Sequence, residues 1–292
     1  MSLETVAGGL IGAAYLVPLS IAFSIAASHG KYLPLWIPYT GLLGAYLAYA
    51  MSETRGVPAM WALIVAAILS AAFAIVANYA LFRGHINRGE PYAALLRAVA
   101  ITVFIEAALG WATHGYALSY RHMKLGGSTY IPKIGDTLTS ADLLAILSAI
   151  ILAPALALLL RWTWAGLAFR SVASNRNLAR EYGLPVLWID TMALAFCGSL
   201  SAVGAIMFGM KYDLSPQMLA EPTMKVAAIV VALGAEWPER VTAGILMIGI
   251  LEAVTQSSPS FAPFASAIGY VLLILALIMR YAVSLRLRRL QT

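Results

Sequence analysis

Long apolar runs, broken at intervals by glycine, proline or a few charges, make up most of the chain. Runs at about 4–28, 34–52, 57–82, 97–119, 140–160, 185–210 and 262–285 each come near or exceed the roughly 20 residues that cross a bilayer as a helix. An eighth run ends in GILMIGILEAVTQ. Residues 223–235, TMKVAAIVVALGA, are too short for a full crossing. They predict a half-helix or re-entrant element whose free end is buried in protein. The pattern therefore predicts an all-α, polytopic transmembrane helical bundle of about 8–10 spans, forming one domain over residues 1–292.

One stretch interrupts this pattern more than any other. Residues 161–183, RWTWAGLAFRSVASNRNLAREYG, set Arg161, Arg170, Arg176 and Arg180 against a single acid, Glu181. Such a segment does not cross a membrane. Turned at 100° per residue, Arg170, Ser174, Asn177, Arg180 and Glu181 share one arc with Arg176 at its edge, while Val172, Leu178, Ala179 and Tyr182 fill the opposite arc. The segment reads as an amphipathic helix, broken near Ser174, lying along the membrane surface with its basic face away from lipid. The alternative is an ordinary cytoplasmic loop whose arginines only fix topology.

Composition agrees with the hydrophobic pattern, since 61% of residues are apolar and only 11% charged. Mean hydropathy is +0.83. The net charge of +6 does not mark a nucleic-acid binder, because the basic residues sit in short loops and near the C-terminus, where they orient helices. Counted back from Arg286, Arg288 and Arg289, nine crossings put the N-terminus outside and the loops near 83–96, 161–183 and 236–240 inside. The connection at 120–139 then lies outside although it is basic. The N-terminal run lacks a basic leader and a cleavage site, so it is read as a retained first helix. Cys197 stands alone in an apolar run, which excludes an internal disulfide and leaves it a small core residue.

Polar residues within the runs are few, and each is a candidate. Glu106 lies near the middle of the fourth run, where an isolated carboxylate costs roughly 2.5–3.5 kcal/mol unless it faces protein or water. It is either a proton or substrate site, or a neutral acid that hydrogen-bonds helices together. His29 ends the first run, as a ligand-path residue or a polar end cap. Glu252 sits near the outer end of its run, where solvation keeps a charge cheap. Pro18 predicts a kink, and Pro34 and Pro38 a broken or re-entrant start to the second run. Gly8, Gly9 and Gly12, and later Gly198, Gly204 and Gly209, give small faces for close helix packing.

In the basic island, Gly166, Arg170, Ala173, Asn175, Ala179 and Gly183 spell a pattern that resembles the cytoplasmic segment of ABC-importer inner-membrane permeases for branched-chain amino acids, the LivH/LivM type. Leu184 stands where that family has isoleucine. Further matches fall at Gly8, Gly12, Tyr15, His29 and Gly30; at Gly44, Ala45 and Tyr46; at Gly198, Ala202, Gly209 and Pro216; at Met224, Lys225 and Gly234; and at Gly244, Gly249 and Glu252. Departures include Ala205 and Ala235 for glycine, the bulky turn Glu236, Trp237, Glu239 and Arg240 where the family has small residues, and a missing closing segment.

The resemblance implies that Gly166, Arg170, Ala173, Asn175, Arg176, Ala179, Arg180 and Gly183 dock onto cytoplasmic ABC ATPase subunits. It implies half of a translocation pore, a related permease partner, an extracytoplasmic solute-binding protein and the cell inner membrane. Implied solutes are branched-chain amino acids or related small polar molecules such as urea and amides. Glu106, Lys225, Gly234 and Glu252 are candidates for the substrate path. No Walker A loop, HExxH or catalytic triad spacing is present, so an enzyme is not expected, ATP hydrolysis belongs to a separate chain, and neither cofactor nor metal is called for. The competing function is a proton-coupled secondary transporter that uses Glu106.

Overall fold

A computed structural model of the protein describes residues 3–82, 84, 90–121, 129–131, 136–257, 262–267 and positions within 270–278. Eleven helices account for most of them: α1 (Leu3–Ala14), α2 (Val17–Gly30), α3 (Ile37–Tyr49), α4 (Ala59–Ala77), α5 (Pro91–Ala112), α6 (Ser140–Trp162), α7 (Trp164–Ser174), α8 (Arg176–Glu181), α9 (Val186–Tyr212), α10 (Ala220–Leu233) and α11 (Pro238–Gln256). Wider π turns extend α3 over Ala50–Thr54 and α4 over Asn78–Phe82. The short strands Thr129–Ile131 and Asp136–Leu138 pair antiparallel between α5 and α6. The fold is the all-α polytopic bundle that the sequence predicts.

Prolines mark where several helices begin. Pro18, Pro38, Pro91 and Pro238 stand in the first turns of α2, α3, α5 and α11, where an absent N–H costs nothing and the fixed φ suits the helix. The kink predicted at Pro18 is therefore a break just before it, with α1 and α2 bent by 49°. The Pro34 region, predicted to be a broken or re-entrant start, is a connection: Trp36 is buried, stacks on Phe82 at 4.7 Å and donates to the Tyr32 hydroxyl at 3.0 Å.

Helices at 59–82, 92–112, 141–162 and 186–212 are long and apolar enough to cross a membrane, and the bent α1–α2 pair makes up to five. α10, with 14 residues, is the short element expected at 223–235. Side-chain and backbone contacts gather the element termini at two ends of the bundle. At one end, which carries α7 and α8, His29 meets Asp190, Ser24 meets Ala235, and Arg161 meets Glu239. At the other, Leu118 pairs with Leu214, the Arg121 amide donates to Glu53 at 2.8 Å, and Lys211 reaches Asp142 at 3.0 Å. We term them the basic end and the far end. The predicted last span beyond residue 278, the loop residues Arg83, His85 and Arg88, most of 122–139, and Arg286, Arg288 and Arg289 lie outside the described residues.

Large apolar side chains of α4, α5 and α6 point outward, among them Ile68, Val76, Leu96, Phe104, Ile150 and Ile151. The interior is built differently, from close approach of backbones. α9 is the central helix, packed along α2, α3 and α4, and a Cβ on its Gly198 would lie 2.6 Å from the Ser70 carbonyl of α4. α1 crosses α11 at a glycine pair, where a Cβ on Gly9 would fall 2.5 Å from the Gly249 carbonyl and one on Gly249 would meet Ala13. Gly8, one residue away, has nothing within 4 Å. Gly9→Ala should consequently destabilise the purified protein by about 1–3 kcal/mol through overpacking, while Gly8→Ala should be neutral or mildly stabilising because alanine suits a helix better. Thermal unfolding in detergent checks the pair, and equal melting points would refute the glycine contact.

Candidate functional site

The basic island folds as two short helices rather than one, and its sequence says why. The Thr163 hydroxyl accepts from the Gly166 amide at 3.0 Å and caps α7. Gly166 itself lies on the backbone of Leu159 and Leu160, where a Cβ would sit 2.5 Å from the Leu160 Cα, so only glycine lets α7 fold back against the end of α6. Asn175 leaves the helical region and its side chain accepts from the Leu178 amide at 3.1 Å, ending α7 and starting α8. At the other end of α8, Gly183 takes φ +80 and donates to the Arg180 carbonyl, while Leu184 donates back to Ala179. This is a Schellman stop, for which glycine is the favoured residue.

The break changes which face is which. Val172 and Ala179 are buried with Val186 beneath the element, as the helical arc requires. Leu178 and Tyr182, of the same arc, are 47% and 80% exposed. Asn175 starts a new helix, so the phase counted from α7 no longer applies beyond it. Arg170 and Arg180 point outward, as predicted. Arg176 does not, because its guanidinium bonds the carboxylate of Asp190, which is only 7% exposed. Arg161 pairs with Glu239 and lies over the Trp237 ring at 5.5 Å. Ala173 lines a pocket of about 210 Å³ between α7 and the 235–239 turn, with Arg170 on its wall.

A second site lies toward the far end. Lys225 of α10 is 7% exposed, and its ammonium donates to both oxygens of Glu252 at 2.8 and 2.7 Å and pairs with Glu221 at 2.8 Å. The three groups face a cavity of about 470 Å³ walled by Gly8, Gly12, Tyr212 and Ser215. One cation against two carboxylates leaves this wall with one formal negative charge. Of the four predicted path residues, the structure brings Lys225 and Glu252 together. Gly234 ends α10 at φ +88 and does not line the cavity. Glu106 accepts a 2.7 Å hydrogen bond from Tyr39 and opens on a separate cavity of about 430 Å³, which shares Ser215 with the first.

Sequence reading missed Glu221, whose partner lies one turn on, and Asp190. The signal for Asp190 was present: like Glu106 it is a lone acid in an apolar run.

Residues 7–277 match the family described as "Branched-chain amino acid transport system / permease component". The chain belongs to this family. The match spans nearly the whole chain, and with the apolar helices it makes this permease a multi-pass membrane protein. No curated protein matches significantly. A solved structure titled "PsaBC from Streptococcus pneumoniae in complex with Fab" is similar over 92% of this chain and 90% of that chain, at 13% identity and a TM-score of 0.48.

Lys225 carries the charge balance of the far-end cavity. Lys225→Met should cost about 3–5 kcal/mol, because it leaves a half-buried Glu252 beside Glu221 with no cation between them. Lys225→Met combined with Glu252→Gln should recover much of that loss. Melting curves of the single and double variants in detergent test the coupling, and additive losses would sink it.

Proposed function

We propose that this permease is the transmembrane subunit of an ABC importer in the cell inner membrane, one domain over residues 1–292. It forms half of a translocation pore with a related permease and is driven by cytoplasmic ATPase subunits. The single observation that carries the reading is the α7–α8 element. Two short helices that do not cross are fastened to the bundle by Gly166, Val172 and Ala179, stopped by Gly183, and present Arg170 and Arg180 outward. A rigid, basic, exposed knob of this kind is what a soluble motor subunit can grip and move. The basic end is then cytoplasmic, in agreement with the positive-inside rule. The far end faces the solute-binding protein.

The carried solute is a small polar molecule of the class handled by the family, branched-chain amino acids or their relatives such as urea and amides. Lys225, Glu221 and Glu252 offer both a cation and carboxylates to such a solute. Glu106 already serves Tyr39, and it needs no proton cycle to be accommodated. Glu106→Gln should therefore transport normally, since the amide oxygen still accepts from Tyr39. Loss of uptake at normal membrane levels would move the function to a proton-coupled carrier.

The coupling reading is tested at Arg170. Forked, charge-assisted bonds from an interfacial guanidinium typically cost about 2–5 kcal/mol to remove when the partner is left buried. Arg170→Ala should lose co-purifying ATPase while the subunit still inserts. Arg161→Ala should keep it, because Arg161 is engaged within the chain by Glu239 and Trp237. If both variants retain the ATPase and transport normally, the segment is an ordinary loop.

A further inference from the structure

Beneath the exposed face of α8 lies a buried cluster that the coupling role does not use by itself. Asp190, in the second turn of α9, directs one carboxylate oxygen to Arg176 of α8 and the other to Nδ1 of His29 in the last turn of α2, at 3.2 Å. Asp190 and His29 are 7% and 9% exposed. The His29 ring also packs edge-on against Phe169 of α7 at 4.0 Å. Just beyond, Lys31 donates to the Ser174 carbonyl at the end of α7 at 3.2 Å. Three helices thus meet on one carboxylate, and α2 ends directly on α7 and, through Asp190, on α8.

α2 leads away from this point toward the far-end cavity. Its Ser24 hydroxyl donates to the Ala235 carbonyl at 2.8 Å, just past the glycine that ends the Lys225 helix. Its first turns continue through the 49° bend into α1, whose Gly8 and Gly12 wall the cavity. If α8 is displaced, either Asp190 follows it and α2 must follow too or lose the buried His29–Asp190 contact, or Asp190 stays and the Arg176–Asp190 pair breaks, which is costly. We propose that Asp190 is the positioning residue through which the α7–α8 element moves α2 and, with it, the wall of the Lys225 cavity. This rests on the ATPase-coupling reading above.

The native chain has a single cysteine, Cys197, which is fully buried, so introduced thiols can be read against a silent background. Ala179→Cys reports docking of α8, since Ala179 is 4% exposed. Maleimide labelling of Ala179→Cys in membranes should be slow, and should rise by at least about tenfold when Asp190→Asn or Arg176→Gln is added, as loss of a buried pair predicts. Arg176→Lys, which keeps the charge, should restore much of the protection. Slow labelling in both neutral variants overturns the proposal, and the two together guard against one failing to fold.

Transmission is read at Ser215→Cys on the cavity wall. In complexes isolated with their ATPase, Mg-ATP with vanadate should change its labelling rate severalfold. With Asp190→Asn the ATPase should still co-purify, because Arg170 and the packing of α7 on α6 through Gly166 are untouched, and the nucleotide effect should vanish. A nucleotide effect that survives Asp190→Asn overturns the proposal with the coupling reading intact. Absence of any ATPase from the unmodified complex instead removes the coupling reading, and the proposal with it.

Discussion

The structure depends on close backbone approach at small residues. In lipid, burying a leucine against another helix gains little, because the acyl chains outside are just as apolar. Helices associate where side chains are small enough for backbones to touch, and α9 is built for this. Its Gly198 meets α4, its Ser201 hydroxyl donates to the Ile37 carbonyl at 2.9 Å, and its Gly204 faces Leu19 of α2. Because α9 is clasped on several sides, other elements gather at both of its ends. The basic island is fastened to one of them, and Lys211, which holds Asp142 of α6, belongs to the other.

Charges buried within this packing come in sets that span helices. Lys225 ties α10 to α11 through Glu252, Asp190 ties α9 to α8 and α2, and Asp142 joins α6 to α1 through the Tyr15 hydroxyl at 2.7 Å. A lone ion would be prohibitive in such surroundings, whereas a matched set mainly fixes geometry. The His29–Asp190 and Tyr15–Asp142 contacts bind elements far apart in sequence, and each set adds a constraint that apolar packing against interchangeable lipid cannot supply.

The all-α bundle, its long apolar helices and the short α10 were legible in the sequence, because hydrophobic length and glycine spacing are local properties that the bilayer selects directly. The two-helix form of the island was legible in part: a break near Ser174 was visible, but a single helical wheel was carried across it. Asn175 starts a new helix, so Leu178 and Tyr182 do not continue the buried face that Val172 begins. The resemblance singled out Gly166, Asn175, Ala179 and Gly183, and in the structure they shape the two-helix element, with Arg170 and Arg180 on its outer surface. Arg176 was misread because its partner, Asp190, is placed by the packing of α9 and not by any periodicity on the island itself. Lys225 and Glu252 were both singled out, but their meeting depends on α10 and α11 packing side by side, which no pattern within either run encodes.

The turn after α10 shows how a departure from the family pattern is absorbed. Small residues are replaced by Glu236, Trp237, Glu239 and Arg240, and the added bulk is stacked rather than splayed. Trp237 lies under Arg240 at 4.8 Å and under Arg161 at 5.5 Å, and Glu239 closes the set by pairing with Arg161. Arg161 and Glu239 are partly exposed, so their pair contributes only about 0–1 kcal/mol. What the set changes is position. Arg161 is drawn across α6 to the start of α11, away from the outward face of α7, and the pocket beside Ala173 gains an aromatic and acidic wall. Two of the island's four arginines, Arg161 and Arg176, are thereby committed within the chain. The outward-facing positive charge of the island therefore rests on Arg170 and Arg180, one on each of its helices, and covers a narrower face than the basic composition of 161–183 suggests.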